Sequence, residues 1–320
     1  MPNWIITGIV AGLAAAAMQG TIMSLSPVNA LIFYLSPLPL FLAGFSRGWA
    51  SAALGVVVMA ALLMVLVGSP AFALMSIISA GLAPVIASGL SMVSRSATQA
   101  PSEGEVRTSE REWYPEGRLI LWLALIAAIV TGVSILAMGT DFATYKAFIT
   151  SFMEPLIATF DKQAPAGQPP FPKEFFTKMM ITALPVAASA MWLLATVTSM
   201  RCAIVFLTKI KHTLRPWAEF NQLAFPGNSV IALLLSLIGA YFLSGMLQLL
   251  ALGAVGAAVT AFTLLGLAIV HSFVAGHAAR PILLGLLYAG LIIFNWLLAV
   301  PLMVLGLVDL NFNFRKSKST

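Results

Sequence analysis

A chain of 320 residues that is 60% hydrophobic and only 9% charged, with a mean hydropathy of +0.98, excludes an ordinary water-soluble domain. Its single cysteine, Cys202, excludes a disulfide framework and a cysteine-rich metal site. The net charge of +6 is not a nucleic-acid footprint, because Lys and Arg in so apolar a chain chiefly set membrane orientation.

The charges gather in 95–118, 141–178, 209–219 and 309–318. Between them lie apolar runs of roughly 18–28 residues, enough to cross a hydrocarbon core of ~30 Å at ~1.5 Å per residue. The short alternating segments of a membrane β-barrel are missing. The expected fold is therefore all-α: a polytopic transmembrane bundle of eight or nine spans, read as one membrane domain over 1–320.

The first run, 4–24, follows Met1-Pro2-Asn3-Trp4, which lacks the basic start of a signal peptide, so a retained helix is expected. It carries small residues every fourth position: Gly8, Gly12, Ala16 and Gly20. Without Cβ bulk a second helix approaches closely along such a stripe, either from the same bundle or from a docked membrane partner. Further runs follow at 27–45, 49–67 and 71–92, separated by Ser26-Pro27, Ser46-Arg47-Gly48 and Gly68-Ser69-Pro70. Residues 93–117 mix Ser, Glu and Arg without an apolar period and read as a flexible cytoplasmic linker.

A run at 119–138 leads to an outer loop at 139–178. Within it Phe142, Tyr145, Ile149, Phe152, Leu156 and Phe160 recur at helical spacing behind a capping Asp141. This is an amphipathic outer helix, lying on the surface or packed as a lid. Gln168-Pro169-Pro170-Phe171-Pro172 forms a stiff connection to the run at 179–206. The last runs are 229–246, 249–275 and 282–308. Arg47, the arginines of 95–118, the basic residues Lys209, Lys211 and Arg215, and Arg280 fall in alternate loops, which places those loops and the N-terminus in the cytoplasm. The tail residues Arg315, Lys316 and Lys318 conflict with a ninth crossing, so the side of the C-terminus stays open.

Polar residues inside apolar runs need a partner or a wet cavity. Gln19, Asn29, Tyr34 and Asn295 are the candidates for groups that face a small solute. Arg201, near the end of its run, reads as a snorkelling cation. No Asp or Glu lies inside a run, which argues against a self-sufficient ion-coupled carrier. The chain has no HExxH helix, GxSxG elbow or glycine-rich nucleotide loop, so no enzymatic activity, cofactor or metal is expected.

The stretches 36-SPLPLFLAGFSRGWASAALG-55, 266-GLAIVH-271 and 305-LGLVDLNFNFRK-316 together resemble the YybS-like family of uncharacterised bacterial membrane proteins. That family is distantly similar to the substrate-binding S-components of energy-coupling-factor transporters. The resemblance implies a bacterial cytoplasmic-membrane protein that binds or translocates a small solute. It implies partners too: a membrane coupling subunit, docked on Gly8, Gly12, Ala16 and Gly20, and an ATPase module. The alternative is a non-catalytic scaffold that gathers envelope-associated proteins through its helix faces and the 93–117 linker.

Overall fold

The computed structural model describes residues 2–23, 26–97, 110–163, 172–294 and 296–312. They form helices α1 (Asn3–Gly20), α2 (Pro27–Tyr34), α3 (Pro37–Arg47), α4 (Trp49–Val67), α5 (Pro70–Ser76) and α6 (Leu82–Ser91). A two-stranded ribbon follows, β1 (Ser94–Ala97) and β2 (Glu110–Trp113). The remaining helices are α7 (Glu116–Met138), α8 (Phe142–Gln163), α9 (Lys173–Lys209), α10 (Val230–Phe242), α11 (Gly245–Phe273), α12 (Arg280–Phe294) and α13 (Trp296–Phe312). Among the described residues, seven helical segments are long and apolar enough to cross a membrane: 3–23, 27–47, 49–67, 70–91, 116–138, 173–209 and 245–273. Three shorter apolar helices accompany them at 227–242, 280–294 and 297–312. This is an all-α polytopic helix protein.

The chain divides into two compact units. The first comprises 1–123, 194–226 and 268–276, and the second 124–193, 227–267 and 277–320.

In the first unit, α1 lies along α4 at backbone contact. A Cβ on Gly8 would sit 2.7 Å from the Ser51 carbonyl oxygen, and one on Gly12 would overlap the Gly55 carbonyl. The Ser51 hydroxyl, in turn, donates to the Trp4 carbonyl at 2.8 Å. Ala11, Ala15, Ala16, Leu40, Ala43, Val56, Met59, Leu63 and Ala80 fill the core around this crossing. Small residues thus exchange side-chain volume for close helix approach, the packing that holds helices together in lipid. Gly48 and Gly68, at φ +95° and +68°, stop α3 and α4 in conformations that side-chain-bearing residues rarely adopt. Ser69 and Pro70 then start α5, with the Ser69 hydroxyl accepting from the Phe72 amide at 3.3 Å.

Within 93–117, expected as a flexible linker, the described flanks are ordered. They pair antiparallel, Ser94 opposite Trp113 and Arg95 opposite Glu112, with an Arg95–Glu112 ion pair at 2.7 Å. Each strand is too short and too polar to show an apolar alternation, which is why the pattern hides in the sequence. Residues 98–109 lie outside the described residues.

The second unit is built around α8. Asp141 caps it as expected, accepting from the Thr144 amide at 2.9 Å and the Thr144 hydroxyl at 2.7 Å. The buried face is Tyr145, Ile149, Met153 and Ile157, packed with Ile135, Ile181 and Leu249. Phe152 is 67% exposed, and Phe142 and Leu156 are exposed as well. The expected stripe is therefore rotated, because α8 carries two adjacent apolar ridges and only the 145/149/153/157 ridge meets the core. The side chain of Phe160 lies outside the described ones. In the same unit α11 and α13 approach closely, Gly266 against the Leu302 carbonyl and Gly306 against the Phe262 carbonyl. Residues 282–308, a single run in the sequence, are two helices on either side of residue 295. The 229–246 run is the shorter α10.

Candidate functional site

The first unit holds two polar sites, one at each end of its helices. The first forms where three helices lose regular geometry. α1 passes at Gly20 into a 3-10 turn, Thr21–Met23. α2 and α3 are separate helices within one apolar segment, broken at Leu35–Ser36 just before Pro37, whose missing N–H prevents a continuous helix. α5 passes at Ser76 into a π-helical turn, Ile77–Gly81, before α6. Such turns recur at functional sites because they widen the helix and loosen its backbone hydrogen bonds.

Gln19, Ser36 and Ser76 stand at these three interruptions and meet. Each is no more than 2% exposed. The Gln19 Nε2 amide donates to Ser36 Oγ at 2.7 Å. Ser76 Oγ donates to Gln19 Oε1 over a longer 3.5 Å. A glutamine amide offers two donors and two acceptor lone pairs. Among the described residues one of each is used, so the triad keeps a spare donor and a spare acceptor.

Of the other solute-facing candidates, Asn29 enters this region through its backbone: the Thr21 hydroxyl donates to the Asn29 carbonyl at 2.9 Å. Tyr34 is 37% exposed and packs edge-on against Phe33, with ring centroids 5.6 Å apart. Asn295 lies outside the described residues. Ser36 and Ser76 were not legible as site residues, since serine is common in membrane helices. The proline after Ser36 was the available signal. In the small-residue stripe, Gly8 and Gly12 face α4 and Ala16 is buried, while a Cβ on Gly20 would meet nothing within 4 Å.

The second polar site joins the opposite end of the same unit. Arg201, read as a snorkelling cation, donates from Nη1 to Glu116 Oε2 at 2.8 Å. The other carboxylate oxygen, Oε1, accepts from the Ala218 amide at 2.8 Å. Arg215 is only 4% exposed. It donates to the Tyr114 carbonyl at 2.8 Å and the Ser91 carbonyl at 3.3 Å, and its guanidinium lies 3.9 Å from the Trp217 ring centre. Burial lowers the Arg215 pKa, and the charge of Glu116 opposes that shift. Trp217 also meets Phe45 edge-on at 4.7 Å. Phe220 meets His271 at 5.4 Å. The loops after α3, α6, α9 and α11 therefore meet at one end, as their shared basic character requires. Cys202 is exposed.

The first polar site can bind through neutral hydrogen bonds, and the second is a structural ion-pair node. Neither assembles a nucleophile with a base among the described residues. No curated protein and no solved structure matches the chain. A family described as predicted membrane protein (DUF2232) matches over residues 13–310, nearly the whole length. With its long apolar helices and this match, the chain is an integral membrane protein and belongs to the DUF2232 family.

Proposed function

We propose that this protein is a non-enzymatic, small-solute binding or translocating component of a bacterial cytoplasmic membrane, oriented with its N-terminus inside. Energy comes from partner proteins, a coupling subunit with an ATPase module. The observation that carries the reading is the convergence of three interrupted helices on Gln19, Ser36 and Ser76, with amide hydrogen-bonding capacity left over. Irregular backbone at membrane depth is tolerated where it is buried in protein or lines a cavity, and transporters use it to build solute sites. A purely scaffolding membrane protein has no need of such a site. Gly8 and Gly12 of the α1 stripe pack against α4 and Gly20 is open, so a coupling subunit would dock at the Gly20 end of the stripe or on another helix face.

The test is retention of small molecules. The full chain in nanodiscs is equilibrated with a metabolite extract, washed, and analysed by mass spectrometry beside a Gln19→Leu variant. A molecule enriched on the wild type and lost from a folded Gln19→Leu variant is the expected result. Equal, empty spectra from both, with envelope proteins alone co-purifying from native membrane, would replace the solute reading with the scaffold.

A further inference from the structure

At the foot of the ribbon, Val93, Ser94, Arg95, Glu112, Trp113, Tyr114, Pro115 and Arg118 line an open cavity of about 200 Å³. It is separate from the Gln19 site and plays no part in the function proposed above. Its chemistry is cationic. Two guanidiniums line it against one carboxylate, and that carboxylate is already engaged by Arg95 at 2.7 Å. Arg118 is exposed and, like Arg95, acts electrostatically on Glu112, so two guanidiniums share one carboxylate and the lining keeps a net positive charge. The cavity also abuts the start of the 23-residue α7, where the macrodipole adds positive potential and the Glu116 carboxylate, paired with Arg201, offsets part of it.

Its neighbouring residues suit the surface of a bilayer. Arg118 is the third residue of a membrane-crossing segment, 116–138. One turn further on, the exposed Trp122 donates its indole N–H to the Tyr114 hydroxyl at 3.0 Å. Paired tryptophan and tyrosine with apolar bodies and hydrogen-bonding tips belong at the headgroup level of a bilayer. Below them α7 is a run of Leu, Ile and Ala, with Leu125 and Ile129 exposed beside Trp122, a surface suited to acyl chains.

We propose that this cavity binds a phosphate group, held between Arg118 and Arg95 at the start of α7. An anionic phospholipid is the source that fits the depth of the cavity and the apolar helix face beneath it. A free phosphate has the same headgroup chemistry and lacks the acyl contacts. The bound phosphate would fix the ribbon to the membrane surface.

The full chain is tested in detergent by native mass spectrometry after equilibration with equimolar phosphatidylglycerol and phosphatidylcholine, with inorganic phosphate as a soluble competitor. The variants are Arg118→Gln, Ser94→Asp, and Arg111→Gln, an exposed ribbon arginine that does not line the cavity. Circular dichroism checks that each is folded. Retention of phosphatidylglycerol should fall about fivefold in Arg118→Gln, the loss of one basic contact to an anionic lipid. Ser94→Asp should weaken it by placing a carboxylate in the cavity. Phosphatidylcholine retention and Arg111→Gln should match the wild type. Phosphatidylglycerol bound in the presence of excess inorganic phosphate identifies the lipid as the source; displacement by inorganic phosphate identifies the free ion as sufficient. Phosphatidylglycerol retention that is unchanged in both cavity variants, or equally weakened by Arg111→Gln, overturns the site.

Discussion

Glu116 is the residue whose loss the first unit should feel most sharply. Its carboxylate serves two partners from different parts of the chain, Arg201 at 2.8 Å and the Ala218 amide at 2.8 Å. The two charged side chains keep only 11% and 19% of their exposure. Glu116→Ala removes both contacts and strands a largely buried guanidinium. Breaking a buried pair by deleting one partner costs about 3–5 kcal/mol, and the residual exposure places this case near about 3 kcal/mol. Most of that cost belongs to the orphaned cation, so removing Arg201 as well should recover part of it. The assay is reversible denaturation of the full chain in mixed micelles, followed by circular dichroism, for Glu116→Ala, Arg201→Met and the double variant. A coupling of about 1–3 kcal/mol is expected from residues in direct contact. A Glu116→Ala midpoint equal to the wild type, or strictly additive single effects, would refute the reasoning.

Three further outcomes follow from the packing. Gly12→Leu should destabilise the first unit by about 3 kcal/mol or more, since the α1–α4 approach leaves no room for a side chain, while Gly20→Leu should be neutral; thermal midpoints in nanodiscs separate the two. Ile149→Asp should strip hydrogen-exchange protection from α8, whereas Phe152→Asp, on the exposed ridge, should leave it intact. Hydrogen bonds from Thr144 hold the Asp141 carboxyl below its ordinary pKa of 3.8. Its contribution to the α8 start is therefore complete above that value and lost as pH falls through the lowered folded one. Exchange of the Thr144 amide should quicken below that pH in the wild type, and Asp141→Asn should flatten the dependence.

The helices were legible because an apolar run long enough to span a membrane has few other physical uses. The cap at Asp141 was legible because it is dictated by adjacent residues. What packing decides was not. The face of α8 could not be chosen from periodicity, because Tyr145–Ile149–Met153–Ile157 and Phe148–Phe152–Leu156 are ridges of similar apolar character one helical step apart. The Glu116–Arg201 pair joins residues 85 apart in sequence, and the Arg215–Tyr114 contact joins residues 101 apart. No local pattern announces either. Gln19 could be singled out as polar in an apolar run, but Ser36 and Ser76 acquire meaning only where folding brings them to its amide.

Hydrogen exchange of the full chain in nanodiscs, with and without a metabolite extract, tests the central claim most directly. Bound solute should raise protection together in peptides covering 15–23, 31–40 and 73–81, the three segments that meet at Gln19, Ser36 and Ser76. That coincident response should disappear in Gln19→Leu. Protection unchanged in all three segments by every extract fraction, or raised only elsewhere in the chain, would contradict a solute site at Gln19.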